Sequence, residues 1–148
     1  MRAARLNRLG YLSLGLVLLW FCQVGCGPGQ TAEEYVSQGK KLLQAKQYDQ
    51  AIASFSEAIR LDAKIPQAYN NRGIAYCQKG DFDRAIDDFS RVIAIDANNG
   101  KAYNNRAVAY LQKGQLDQAR RDVEKAQSLG IAVNPILLES LSRTEGKK

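Results

Sequence analysis

Apolar and small residues recur along the chain at a constant period. Tyr35, Tyr69 and Tyr103 are spaced by 34 residues, as are Ala51, Ala85 and Ala119, and Leu61, Ile95 and Leu129. Gly39 and Gly73 are followed at the same offset by Ala107, Phe55 and Phe89 by Val123, and Tyr48 and Phe82 by Leu116. So many registers at one spacing define an internal repeat. Each unit divides into two helical runs of about a dozen residues, so the pattern predicts three helix hairpins.

The punctuation between runs supports this division. Gly80-Asp81 and Gly114-Gln115 stand at the turns of the second and third units, where glycine readily ends a helix. Lys46-Gln47 holds that place in the first unit and is a poorer breaker. Asp49, Asp83 and Asp117 recur at the start of each second helix, where a carboxylate can accept orphan N–H groups and favours the positive dipole end. Gly39, Gly73 and Ala107 are expected to face Ala51, Ala85 and Ala119, since small side chains allow two helices to approach. Phe55 and Phe89 fill the space beside them. Each hairpin keeps apolar surface that only a neighbour can cover. After the stop at Gly130, Asn134-Pro135 caps a final helix expected over 135–144, whose Ile136, Leu137, Leu138 and Leu141 form a short apolar face over the last hairpin.

Over residues 32–133 the sequence resembles the tetratricopeptide repeat family. Its alternating aromatic and small signature stands in the second unit as Tyr69, Gly73, Tyr76, Ala85, Phe89 and Val92. The proline that usually closes a unit is replaced by Ala63 and Ala97, and Pro66 follows three residues after the first of them. The resemblance implies an all-α, right-handed α-solenoid. Its repeats would span 32–65, 66–99 and 100–133, with a capping helix and basic tail over 134–148. It also implies a protein–protein interaction role.

Polar residues sort by direction. About each turn, Arg72 pairs with Asp88 and Arg106 with Asp122, which predicts structural ion pairs within the second and third hairpins. The equivalents in the first unit are Gln38 and Ser54, so both charges are lost together. In the family, first helices line a concave groove. The matching positions are Val36, Ser37, Lys40, Leu43 and Gln44, then Gln67, Asn70, Asn71, Ile74, Cys77 and Gln78, then Lys101, Asn104, Asn105, Val108, Leu111 and Gln112. Amides offer both donor and acceptor to an extended peptide backbone, although they can also simply solvate an exposed helix. Family members that bind chaperone tails use a five-residue carboxylate clamp. Asn71 and Lys101 match two of its positions, while Val36 and Asn105 replace basic residues and Lys40 replaces an asparagine. That balance argues against a chaperone tail and leaves a weaker carboxylate site near Lys40 and Lys101.

Charge is concentrated at the start of the chain. Of the net +6, Arg2, Arg5 and Arg8 supply three charges, and beyond residue 26 acidic and basic residues alternate. No basic stripe suited to tracking phosphates remains, so nucleic acid is not an expected partner. The arginines precede an apolar run from Leu9 to about Cys22, an order that reads as a secretory signal and is short for a membrane span. The following QVGC resembles the bacterial lipobox, with Gly25 before Cys26 and Gln23 departing from the usual leucine-like residue. The resemblance implies a signal peptide over 1–25, lipid on Cys26 and a flexible tether over 26–31. An uncleaved signal anchor is the competing reading. Either places the repeats outside the cytoplasm against a membrane of the bacterial cell envelope.

Catalysis has little to build on. Histidine is absent, no phosphate-cradling glycine loop or zinc spacing is present, and nothing adjacent would activate Cys77. No enzyme activity, metal or cofactor is expected. The expected role is a membrane-tethered scaffold or adaptor whose groove binds an exported protein or peptide. The alternative is a structural module that self-associates as a homo-oligomer and holds no peptide.

Overall fold

The computed structural model describes residues 29–143. The signal, Cys26 and all but the end of the tether lie outside the described residues, as does the basic tail from 144. Among the described residues, the chain from Thr31 onward forms one compact unit. It contains seven helices: α1 (Ala32–Gln44), α2 (Tyr48–Leu61), α3 (Pro66–Gln78), α4 (Phe82–Ile95), α5 (Gly100–Gln112), α6 (Leu116–Ser128) and α7 (Pro135–Arg143). Among the described residues there is no strand. The hairpins are α1–α2, α3–α4 and α5–α6, and α2 packs on α3 as α4 packs on α5. This is the all-α solenoid of three hairpins, with α7 packed against α6.

Local chemistry explains where the helices stop and start. Thr31 and Glu34 form a capping box on α1, with Glu34 N donating to Thr31 Oγ1 at 3.2 Å and Thr31 N to Glu34 Oε2 at 2.9 Å. Gly80 and Gly114 take φ of 80° and 73° at the hairpin turns. Lys46 is driven to φ 59° in the first, a left-handed conformation that costs a residue bearing Cβ. The second helices start one residue before the recurrent aspartates, so the expected capping role is not theirs. Asp81 is the side chain that caps α4, accepting from Arg84 N. Asp49 and Asp83 instead accept from Lys79 and Lys113 of the following repeat, linking neighbouring hairpins.

The core follows the repeat. Phe55 and Phe89 are completely enclosed, and Ala51, Ala85 and Ala119 have no exposed surface. The rings come closest to the glycines of the first two hairpins. A Cβ added at Gly39 would stand 2.5 Å from Phe55 Cε1, and one at Gly73 2.7 Å from Phe89 Cε1. The glycines thus make room for a phenyl ring. At the C-terminal end, Val123, Ala126, Val133, Leu137 and Leu141 share one cluster. Leu137 and Leu141 are buried whereas Ile136 is 70% and Leu138 38% exposed, so only half of the expected apolar face of α7 covers the hairpin. Asn134 begins that helix, its Oδ1 accepting from Ile136 N at 2.9 Å.

Candidate functional site: the concave groove

Two ladders of side-chain bonds hold the first helices in position. Arg72 donates through Nε and Nη2 to both oxygens of Asp88, each at 2.8 Å, and Arg106 does the same to Asp122 at 2.7 and 2.8 Å. A third partner completes each fork. Arg72 Nη1 donates to Ser56 Oγ and Arg106 Nη1 to Ser90 Oγ, both at 2.9 Å, and each serine hydroxyl in turn donates to the carbonyl of Ile52 or Ile86. Every arginine therefore ties its own hairpin to the preceding one. Ser56 and Ser90 were not singled out in the sequence, although their 34-residue spacing is the signal that could have found them.

The forks are buried rather than superficial. The Asp88 side chain is 6% exposed, and the Arg72 guanidinium carbon stands 5.7 and 5.9 Å from the ring centres of Tyr69 and Tyr76. Burial pushes the Asp88 carboxyl above its ordinary value, and the Arg72 hydrogen bonds and charge pull it part of the way back. The same bonds hold Arg72 and Arg106 firmly protonated against desolvation. In the first hairpin Ser54 is buried and Gln38 is exposed.

The groove positions separate into two groups. Lys40 from α1, Gln67, Asn70 and Asn71 from α3, and Lys101 from α5 line one concavity of about 460 Å³, with Pro66, Val92, Asp96 and Asn99. A second of about 450 Å³, lined by Glu33, Val36, Ser37, Lys40, Ile65 and Gln67, shares Lys40 and Gln67 with it. The two form a continuous trough along the N-terminal halves of α1, α3 and α5. Neither Lys40 nor Lys101 has an acidic partner among the described residues.

Further along the helices, the groove positions line neither concavity. Ile74 and half-buried Cys77 pack against the cluster of Tyr76, Ala85, Phe89 and Ala109. Burial pushes the Cys77 thiol up to about 11, so it stays protonated and unreactive at neutral pH. Val108, Gln78 and Gln112 are exposed. Asn105 Nδ2 donates to Asn70 Oδ1 at 3.1 Å, joining α5 to α3 across the groove floor. Asn104 Oδ1 is buried with no partner. Asn71 and Gln67 are amides of the set that line the trough with no side-chain bond among the described residues. Among the described residues no group of His, Cys, Asp or Glu could hold a metal ion.

Stacked helix hairpins with arginine ties and an open trough define a helical repeat scaffold. Comparison with known proteins gives the repeat its name. Models of the tetratricopeptide repeat match residues 66–99 and 89–121, and a TPR repeat model matches 34–80. The chain carries tetratricopeptide repeats. No curated protein matches the sequence. Among solved structures, the first TPR of Spaghetti (RPAP3), bound to an HSP90 peptide SRMEEVD, is 26% identical with a TM-score of 0.72, over 79% of this chain and 92% of that one. The second TPR domain of human RPAP3, in complex with an HSP70 peptide SGPTIEEVD, is 26% identical with a TM-score of 0.71, over 82% and 100%. The Arabidopsis OM64 TPR domain is 25% identical with a TM-score of 0.74, over 77% and 96%.

Proposed function

We propose that this chain is a membrane-tethered adaptor of the bacterial cell envelope that holds an extended segment of an exported protein in its concave trough. The observation that carries the reading is the convergence of Lys40 and Lys101, both without acidic partners among the described residues, with Gln67, Asn70 and Asn71 on one concavity. Two lysines and three amides lining one concavity suit a carboxylate on a peptide whose backbone the amides hold. Solved neighbours that hold peptides support the interaction role. Their peptides end in EEVD, whereas Val36 and Asn105 leave this trough two cations short of the clamp for such tails. The tether rests on the order of arginines, apolar run and Cys26 in the sequence.

Site-specific photocrosslinking in intact membranes tests the reading. A photoreactive residue at Asn71 should capture a discrete partner, and one at Arg91, exposed on α4, should not. Capture from Arg91 alone would defeat the groove. Intact-mass analysis of the membrane-extracted protein tests the tether, where a chain that begins at unmodified Met1 excludes lipid on Cys26.

A further inference from the structure

The concavity that holds both Lys40 and Lys101 contains one group that a simple carboxylate site does not need. Asp96, at the C-terminal end of α4, lines the same concavity as Lys40 and Lys101. Its Oδ1 accepts from Asn98 N at 3.0 Å within its own turn. Its Oδ2 has no partner, and no lysine or arginine among the described residues pairs with it. The first repeat has Asp62 at this position, bonded likewise to Lys64 N but outside both concavities, and the third has Gly130. In the concavity that holds both lysines Asp96 is the lining carboxylate, and Glu33 lies with Lys40 in the adjoining one.

The charges of this wall are therefore mixed: Lys40 and Lys101 attract an anion, and Asp96 attracts a cation at the edge of the same space. A run of acidic residues would satisfy the lysines and then press its next carboxylate towards Asp96. A segment with one acidic and one basic side chain close together meets all three groups with opposite charge. Resting on the groove reading above, we infer that the trough selects a zwitterionic segment, its carboxylate between Lys40 and Lys101 and its cationic side chain on Asp96. Asn71 and Gln67 remain for the backbone between them. Asp96 thereby sets specificity by repelling polyacidic segments as much as by attracting a base.

The test is selection of displayed random eight-residue peptides against the full chain in detergent micelles. It is repeated with Asp96→Asn, which keeps the turn acceptor and removes the charge, and with Lys40→Gln/Lys101→Gln. The parent chain should enrich neighbouring acid–base pairs. Asp96→Asn should reduce the basic preference by up to about fivefold, the ceiling for a solvent-exposed ion pair, and keep the acidic one. The lysine variant should lose the acidic preference. Enrichment of polyacidic peptides by the parent, or a basic preference unchanged by Asp96→Asn, overturns the inference while the groove reading stands. Failure to enrich anything, or enrichment indifferent to all three substitutions, overturns both.

Discussion

Gly73 and Phe89 are one decision made at two positions. The ring of Phe89 occupies the space where a Cβ on Gly73 would lie, with Cε1 at 2.7 Å, Cζ at 3.0 Å and Cδ1 at 3.1 Å. The third repeat makes the opposite choice, with Ala107 in place of the glycine and Val123 in place of the ring. Gly73→Ala should therefore destabilise the domain by about 1–3 kcal/mol through overpacking, despite alanine's better helix propensity. Phe89→Ala should cost about 3–5 kcal/mol by leaving a cavity. Gly73→Ala/Phe89→Val, which copies the third repeat, should cost less than the sum of its single changes in urea unfolding. Strict additivity would mean that the two do not share the space. The arginine forks carry a second prediction. Asp88→Ala removes both acceptors from the Arg72 fork and should cost about 1–3 kcal/mol in urea unfolding by leaving those donors unsatisfied. Because the folded Asp88 pKa is raised, its contribution is fully present below the ordinary 3.8 and is lost as pH rises through the folded value. Asp81 behaves oppositely, since the Arg84 hydrogen bond lowers its pKa: its contribution is present above 3.8 and is lost as pH falls through the depressed value. Carboxyl-carbon NMR should show Asp88 titrating above Asp81, and the reverse order would contradict the buried fork.

At the scale of elements, most of the architecture was legible because the repeat states each helix three times. The turns at Gly80 and Gly114 and the cap at Asn134-Pro135 follow from residue type, and the pairing of Arg72 with Asp88 follows from symmetry about a turn. What the period could not show is which neighbour each polar group chooses. Asp49 and Asp83 look like caps by position, yet their helices start one residue earlier and they bond to the next hairpin. Asn70 and Asn105 look equally free to bind, yet they bond to each other, which leaves Gln67 and Asn71 in the trough. These choices depend on packing between repeats, information that no single repeat contains. Lys46 shows the same limit from the other side. The sequence places a turn there without a glycine, and the backbone still adopts φ 59°. Lys46→Gly should relieve that strain and stabilise the domain by about 0.5–1 kcal/mol, net of the greater freedom glycine gives the unfolded chain. A urea midpoint that falls instead would mean that Lys46 makes a compensating contact.

For the whole array of hairpins, the two ends decide between adaptor and self-assembling module. Inside the stack, Ile52, Ser56 and Ile59 of α2, and Ile86 and Ser90 of α4, meet the helix that follows, whose Ala68 and Ala75 or Ala102 and Ala109 are wholly buried, and half-buried Ile93 holds the position matching Ile59. On α6 the same positions hold Arg120, Glu124 and Gln127, and Arg120 Nη2 is engaged with the Leu141 carbonyl of α7. On α1 the positions of the buried alanines and the tying arginine hold Glu34, Lys41 and Gln38, all exposed. Stacking one copy on another in the repeat register would set Arg120 beside Lys41 and Glu124 against Gln38. Asp117 would meet Ala45 where Asp83 meets Lys113. Neither apolar burial nor charge complementarity drives that contact, so head-to-tail association is disfavoured by the same chemistry that stacks the internal repeats. The full chain in detergent should sediment as a monomer over roughly a hundredfold range of concentration, since mass action would expose any association across that span. A concentration-dependent dimer that survives substitution of Glu34, Lys41, Arg120 and Glu124 would show that the copies meet elsewhere and would restore self-association as a rival to the groove.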